Sequence, residues 1–243
     1  MLRFVETYFL LFLIYSTCGW LVETIGEVFK SGKLVNRGFL IGPYCPIYGY
    51  GVLLITLLLS KYKNDILLTF ILAMLICGVL EYLTSYFMEK IFHARWWDYK
   101  RMRFNINGRI CLETLVLFGL AGPILLRITN PLILSGISYI PDLALNIIVI
   151  TLFVVFIIDN IVSLNVILTF KNVTREINDN TEEITQKVKA IISEKSILGK
   201  RLINAFPNLN AIRFKIKEKI EETIENGTEF IATQKAKIDN KLK

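Results

Sequence analysis

The stretch Gly38-Phe-Leu-Ile-Gly-Pro-Tyr-Cys-Pro-Ile-Tyr-Gly-Tyr-Gly-Val-Leu-Leu-Ile-Thr-Leu-Leu-Leu-Ser60 carries no charged side chain over 23 residues. A helix crosses a bilayer core with about 20 mostly apolar residues. Yet Gly42, Pro43, Pro46, Gly49 and Gly51 fall close together inside this run. Proline removes a backbone donor and obstructs the preceding turn. Broken backbone at membrane depth is tolerated only where protein or a water-filled cavity surrounds it. Two readings follow. The segment is an interrupted helix that lines a path with Asn36, Gly42, Pro43, Pro46 and Tyr48, or it is a kinked helix packed through small residues.

On either side the same apolar character returns. Thr7–Val22 is uncharged and continues helically to Phe29 through Glu23 and Glu27. Ile66–Leu80 is uncharged and continues through Glu81 to about Met88, Ile110–Leu126 is apolar except for Glu113, and Leu143–Phe170 is apolar except for Asp159. These make five spans. Pro131, Gly136 and Pro141 predict an interfacial loop over Ile128–Pro141 rather than a sixth. The first span lacks a small-residue cleavage pattern and reads as retained.

The chain has 243 residues and is 53% hydrophobic and 20% charged, and its charge is unevenly spread. Residues 1–170 hold 13 Lys+Arg and 10 Asp+Glu, whereas residues 171–243 hold 15 and 11. A single soluble globule, a disordered chain and a disulfide scaffold are excluded. The fold expected is an all-α, polytopic integral membrane helix bundle. Residues 1–170 form the transmembrane domain and 171–243 a cytoplasmic helical tail. In that tail Ile177, Ile184, Ile191 and Leu198 recur every seven residues, a coiled-coil seam through which copies of the chain could associate. Pro207 breaks it, and an amphipathic helix carrying Leu209, Ile212, Ile216, Ile220 and Ile224 follows.

The net charge is +7. Charges of alternating sign in the tail argue against nucleic acid, and a basic excess beside membrane spans suits anionic lipid. Lys and Arg accumulate in cytoplasmic loops. Nine lie in the first and third loops (Lys30, Lys33, Arg37, Lys90, Arg95, Lys100, Arg101, Arg103, Arg109), against Lys61, Lys63 and Arg127 in the second and fourth. The N-terminus is therefore expected outside, with the tail in the cytoplasm. Cys18, Cys45, Cys77 and Cys111 lie in apolar stretches and read as small buried hydrophobes. With the lone His93 they do not make a zinc site.

A charge near the centre of a membrane helix costs roughly 2.5–3.5 kcal/mol on insertion scales, so such residues usually face the bundle interior. Glu23 and Glu27 share a helix face, as do Glu81, Ser85 and Glu89, and Arg109 with Glu113. They are either ion pairs and interfacial residues holding the bundle, or a binding site built from Glu23, Glu81 and Glu113 with Arg37 and Arg109. Asp159 either pairs helices or lines the path. Trp96-Trp-Asp-Tyr99 reads as interfacial aromatics, but Asp98, Asn105, Asn107, Gly108 and Arg109 together suit a polar lid, and Trp97, Asp98, Asn105 and Arg109 join the binding candidates. The Cys-Gly pairs at Cys18 and Cys77, each followed by Glu23 or Glu81, form a faint internal echo.

Several segments resemble a bacterial family, the CmpB-like permeases known as putative ABC-transporter type IV. They are Gly19-Trp-Leu-Val-Glu23, Asn36-Arg-Gly-Phe-Leu-Ile-Gly-Pro-Tyr-Cys-Pro-Ile-Tyr-Gly49, Glu81-Tyr-Leu-Thr-Ser85, Trp96-Trp-Asp-Tyr99 and Phe104-Asn-Ile-Asn-Gly-Arg-Ile-Cys-Leu112. The resemblance covers about residues 5–170. It implies a permease subunit of the bacterial inner membrane. The chain has no G-x-x-x-x-G-K-[ST] phosphate loop, so an ATPase would be a separate polypeptide. The reading is a transport protein whose carboxylates bind a cationic group, a metal ion or a proton; they suit hard cations such as Mg²⁺ or Ca²⁺. No further cofactor is implied. Two alternatives stand beside it. One is a membrane-embedded enzyme acting on a lipid or phosphate-bearing substrate, for which no catalytic set is recognisable. The other is a scaffold or sensor that recruits a partner through its tail.

Overall fold

The computed structural model describes residues 1–32, 34–92 and 96–176. His93, Arg95 and the tail beyond Glu176, with its heptad seam and amphipathic helix, lie outside the described residues. The order of elements is α1 (Leu2–Ser31), α2 (Pro46–Leu59), α3 (Ile66–Phe92), β1 (Asn105–Ile106), β2 (Ile110–Cys111), α4 (Leu112–Ile124), α5 (Asn130–Ser138) and α6 (Asp142–Glu176). Four helical stretches are long and apolar enough to cross a membrane: Leu2–Lys30, Ile66–Ile91, Leu112–Ser138 and Asp142–Asn165. Large apolar side chains cover their outward faces, as lipid contact requires. The sequence expectation of a polytopic helix bundle holds.

The second segment is neither a full helix nor a kinked one. α1 stops at Gly32, whose φ of 68° suits glycine and whose N–H reaches the Val28 carbonyl at 2.8 Å. Residues 34–45 are then non-helical. α2 begins where Pro46 can open a helix without losing a bond. The Cys45 N–H bonds to the Ser16 carbonyl at 2.8 Å, halfway along α1. The 14 residues of α2 rise about 21 Å, short of a core of about 30 Å. The irregular stretch leads into α2 from α1. It is mostly half-buried, with Gly38, Leu40 and Cys45 buried, and its backbone finds side-chain partners, as that depth demands.

The expectation of a loop over Ile128–Pro141 is corrected. Helix runs on from Leu112 to Ser138, interrupted only by a π-turn at Leu125–Thr129. There the Asn130 N–H reaches back five residues to the Leu125 carbonyl. Pro131 falls in the first turn of α5, where its missing donor costs little. The turn is fixed by side chains from two other helices. The Tyr15 hydroxyl meets Thr129 Oγ1 at 2.6 Å and donates to Asn130 Oδ1 at 2.7 Å, while Asn130 Nδ2 donates to Thr56 Oγ1 at 2.7 Å.

α1 and α6 run in the same direction. Arg3 pairs with Asp142, Leu10 packs with Leu145 and Val149, and the Phe12 ring meets Phe156 at 5.6 Å. Met1 and the end of α6 therefore sit at opposite ends of the bundle, as an odd number of crossings requires. A second core joins α2, α3 and the π-turn through Ile55, Leu59, Ala73, Cys77 and Leu126. Cys45, Cys77 and Cys111 are buried thiols as expected, and Cys18 is exposed.

Candidate functional site

Two acids on different helices each accept a tyrosine hydroxyl within the bundle. Glu81 on α3 is 6% exposed. It accepts the Tyr99 hydroxyl at 3.0 Å and the Thr114 hydroxyl, from the first turn of α4, at 3.4 Å. Glu23 on α1 accepts the Tyr48 hydroxyl of α2 at 2.6 Å. Both carboxylates act on Tyr99. In the loop before β1, Tyr99 is held well above the ordinary phenol range, by burial first and then by Glu81 and Glu23. It therefore stays protonated and donating. Tyr48 is placed by a missing side chain: a Cβ on Gly19 would overlap its ring. Beside Glu23, the buried Thr24 hydroxyl has no hydrogen-bond partner among the described residues.

The irregular stretch is built by two polar side chains. Asn36 Oδ1 accepts Trp20 Nε1 at 2.7 Å and the Gly38 N–H at 2.9 Å, while its Nδ2 donates to the Ile41 carbonyl at 3.1 Å. Asp159, 9% exposed on α6, accepts the N–H groups of Ile41 at 3.0 Å and Gly42 at 2.7 Å. It also accepts the Tyr44 hydroxyl, and Ser163 Oγ at 2.9 Å. These donors balance the charge that burial would otherwise penalise. Pro43 is exposed beside them, and Pro46 opens α2.

The remaining candidates lie elsewhere. Arg37 pairs with Glu27 at 3.0 Å rather than with Glu23. Arg109 precedes α4 in the β1–β2 hairpin and pairs with Glu89 at 2.9 Å rather than with Glu113. Its guanidinium lies over the Tyr82 and Tyr86 rings, 5.7 and 5.4 Å from their centres. Glu113 is exposed in the first turn of α4, where a negative charge suits the helix dipole. Trp97 Nε1 donates to the Arg109 carbonyl at 2.9 Å. Asp98 Oδ1 accepts the Lys100 N–H at 3.0 Å, and Asn105 Oδ1 the Gly108 N–H at 3.0 Å. These three polar groups fold the hairpin.

Sequence reasoning passed over Tyr99, Thr114, Tyr44 and Ser163 as partners of the buried acids. Tyr99 closes the Trp-Trp-Asp-Tyr segment, and a phenol beside two tryptophans was the available signal. It also passed over Glu6, 6% exposed on α1, which faces the Asn146 side-chain amide and accepts from it at 2.9 Å when that amide is turned with its nitrogen toward the carboxylate. Among the described residues no three His, Cys, Asp or Glu side chains are grouped to hold a metal ion.

No curated protein and no solved structure matches the chain. A family model does, over residues 10–164. The match takes in every buried acid described above except Glu6, and it stops before the tail. The chain belongs to the family described as putative ABC-transporter type IV, and with its membrane-spanning helices it is a membrane protein of that family.

Proposed function

We propose that the chain is the permease subunit of a transporter, and that Glu23, Tyr48, Tyr99 and Glu81 form an intramembrane site for a single positive charge. The observation that carries this reading is that an acid of α1 and an acid of α3 each hold a phenol, and both act on Tyr99, beside a crossing whose helix is interrupted. Two carboxylates gathered about one phenol in a low-dielectric interior favour taking up a cation. A hard divalent metal asks for six or more oxygens. This cluster offers two carboxylates and two phenols, so a proton or an ammonium group fits it better. Helix interruptions of this kind expose backbone groups to cargo in other transporters. Asp159 would hold the irregular stretch open, and Arg37 and Arg109 would brace the bundle ends through Glu27 and Glu89.

The chain lacks a nucleotide-binding loop, so its energy would come from a separate ATPase. The basic first and third connections favour a cytoplasmic face for that partner, in the inner membrane of a bacterium. Transport assays on vesicles containing the chain and its partners, loaded with a pH-sensitive dye, test the reading. E23Q and E81Q should each lower proton or ammonium flux at least about tenfold. E27Q and E89Q should leave flux within about twofold of wild type, since neither carboxylate joins the cluster. Equal flux in all four variants would remove the site.

A further inference from the structure

Outside that cluster, a groove of about 510 Å³ lies between α3 and the β1–β2 hairpin, lined by Tyr82, Tyr86, Lys100, Asn105, Asn107 and Arg109. Two of these are cations. Arg109 gives one hydrogen of one terminal nitrogen to Ser85 Oγ at 3.4 Å and one of the other to Glu89. Its guanidinium carries five N–H donors, so three remain. The Lys100 ammonium has no partner among the described residues. In the sequence around them Lys90, Arg101 and Arg103 stand against Glu89 and Asp98, so the charge balance of the flanking segments is basic.

Apolar surface continues from this groove in two directions. On α3, Val79, Leu83, Tyr86 and Phe87 are exposed on one face, at spacings of four, three and one. In and just before the hairpin, Met102, Phe104 and Ile106 are exposed, with Arg101 and Arg103 flanking Met102. Phe104 is 78% exposed and has a φ of 50°. A bulky residue in the left-handed region is strained by roughly 1–2 kcal/mol. In water that strain and that exposure have no return. At a bilayer surface the ring is buried among acyl chains while its arginine neighbours meet phosphates.

We propose that this groove binds one anionic glycerophospholipid. Its phosphate lies between Arg109 and Lys100, its acyl chains run along the exposed face of α3, and the hairpin tip dips into the same leaflet. The shared chemistry of a free phosphate ion would satisfy the two cations but not the apolar wall that leads away from them. The wall assigns the site to lipid.

Native mass spectrometry of the purified full chain tests this, with phosphatidylglycerol, phosphatidylcholine of the same acyl composition, and inorganic phosphate as probes. The wild type should retain one phosphatidylglycerol about tenfold more tightly than phosphatidylcholine. K100Q, an exposed position whose change leaves the fold intact, should weaken phosphatidylglycerol about tenfold, and R109Q at least as much. Millimolar inorganic phosphate should not displace the lipid. Equal retention of both lipids, wild-type retention in K100Q, or displacement by inorganic phosphate would each overturn the assignment.

Discussion

Asp159 shows what one buried charge can organise. Its two oxygens collect two backbone donors from Ile41 and Gly42 and two hydroxyls from Tyr44 and Ser163. An asparagine there keeps one acceptor and turns two donors toward groups that also donate. D159N should therefore lower the stability of the purified chain by about 2–4 kcal/mol, while E113Q, on an exposed turn, should change it by less than about 1 kcal/mol. Thermal unfolding in one detergent measures both. The acids themselves were legible, because a charge in an apolar run has few explanations. Their partners were not. Tyr44 meets Asp159 across 115 positions and Thr114 meets Glu81 across 33, and no local pattern announces such pairs. Arg109 and Glu113 illustrate the converse error. Four residues apart, they read as one helix face, but the helix begins only at Leu112, and the arginine turns to Glu89 instead.

At the scale of elements, prolines carried the reading both rightly and wrongly. Pro43 and Pro46 mark a real interruption, because Asn36 and Asp159 supply what the broken backbone lacks. Pro131 marks none, because the π-turn before it places the ring in a first helical turn held by Tyr15 and Thr56. Composition is the same in the two cases, and the tertiary partners decide. The α1–α2 crossing depends on Gly49. A Cβ there would lie 2.5 Å from the Phe12 carbonyl oxygen and would overlap Ser16 Oγ. Backbone cannot yield as a flexible side chain can. G49V should destabilise the chain by about 2–4 kcal/mol and displace Tyr48 from Glu23, whereas G26A, with open space around it, should cost nothing and gain a few tenths through helix propensity. Unfolding temperatures of the two variants beside wild type check the contrast.

For the whole molecule, the fold class followed from hydropathy alone, since only helices or closed barrels satisfy their backbone in lipid. Of the five spans expected, four are helices long and apolar enough to cross, and α2 is a shorter apolar helix. The parallel course of α1 and α6 adds that the two chain ends lie on opposite sides. Combined with the basic first and third connections, this predicts that a reporter fused before Met1 is active only outside the cytoplasmic membrane, and one fused after Glu176 only inside. Activity of both reporters on one side would refute the topology. Above all, the account rests on Glu23 and Glu81 sharing one site. A double-mutant cycle on unfolding stability, comparing E23Q, E81Q and the double variant in the full chain, tests this most directly. Coupled carboxylates predict effects that depart from additivity by at least about 0.5–1 kcal/mol, and additive effects within about 0.3 kcal/mol would place the two acids in separate environments and contradict the account.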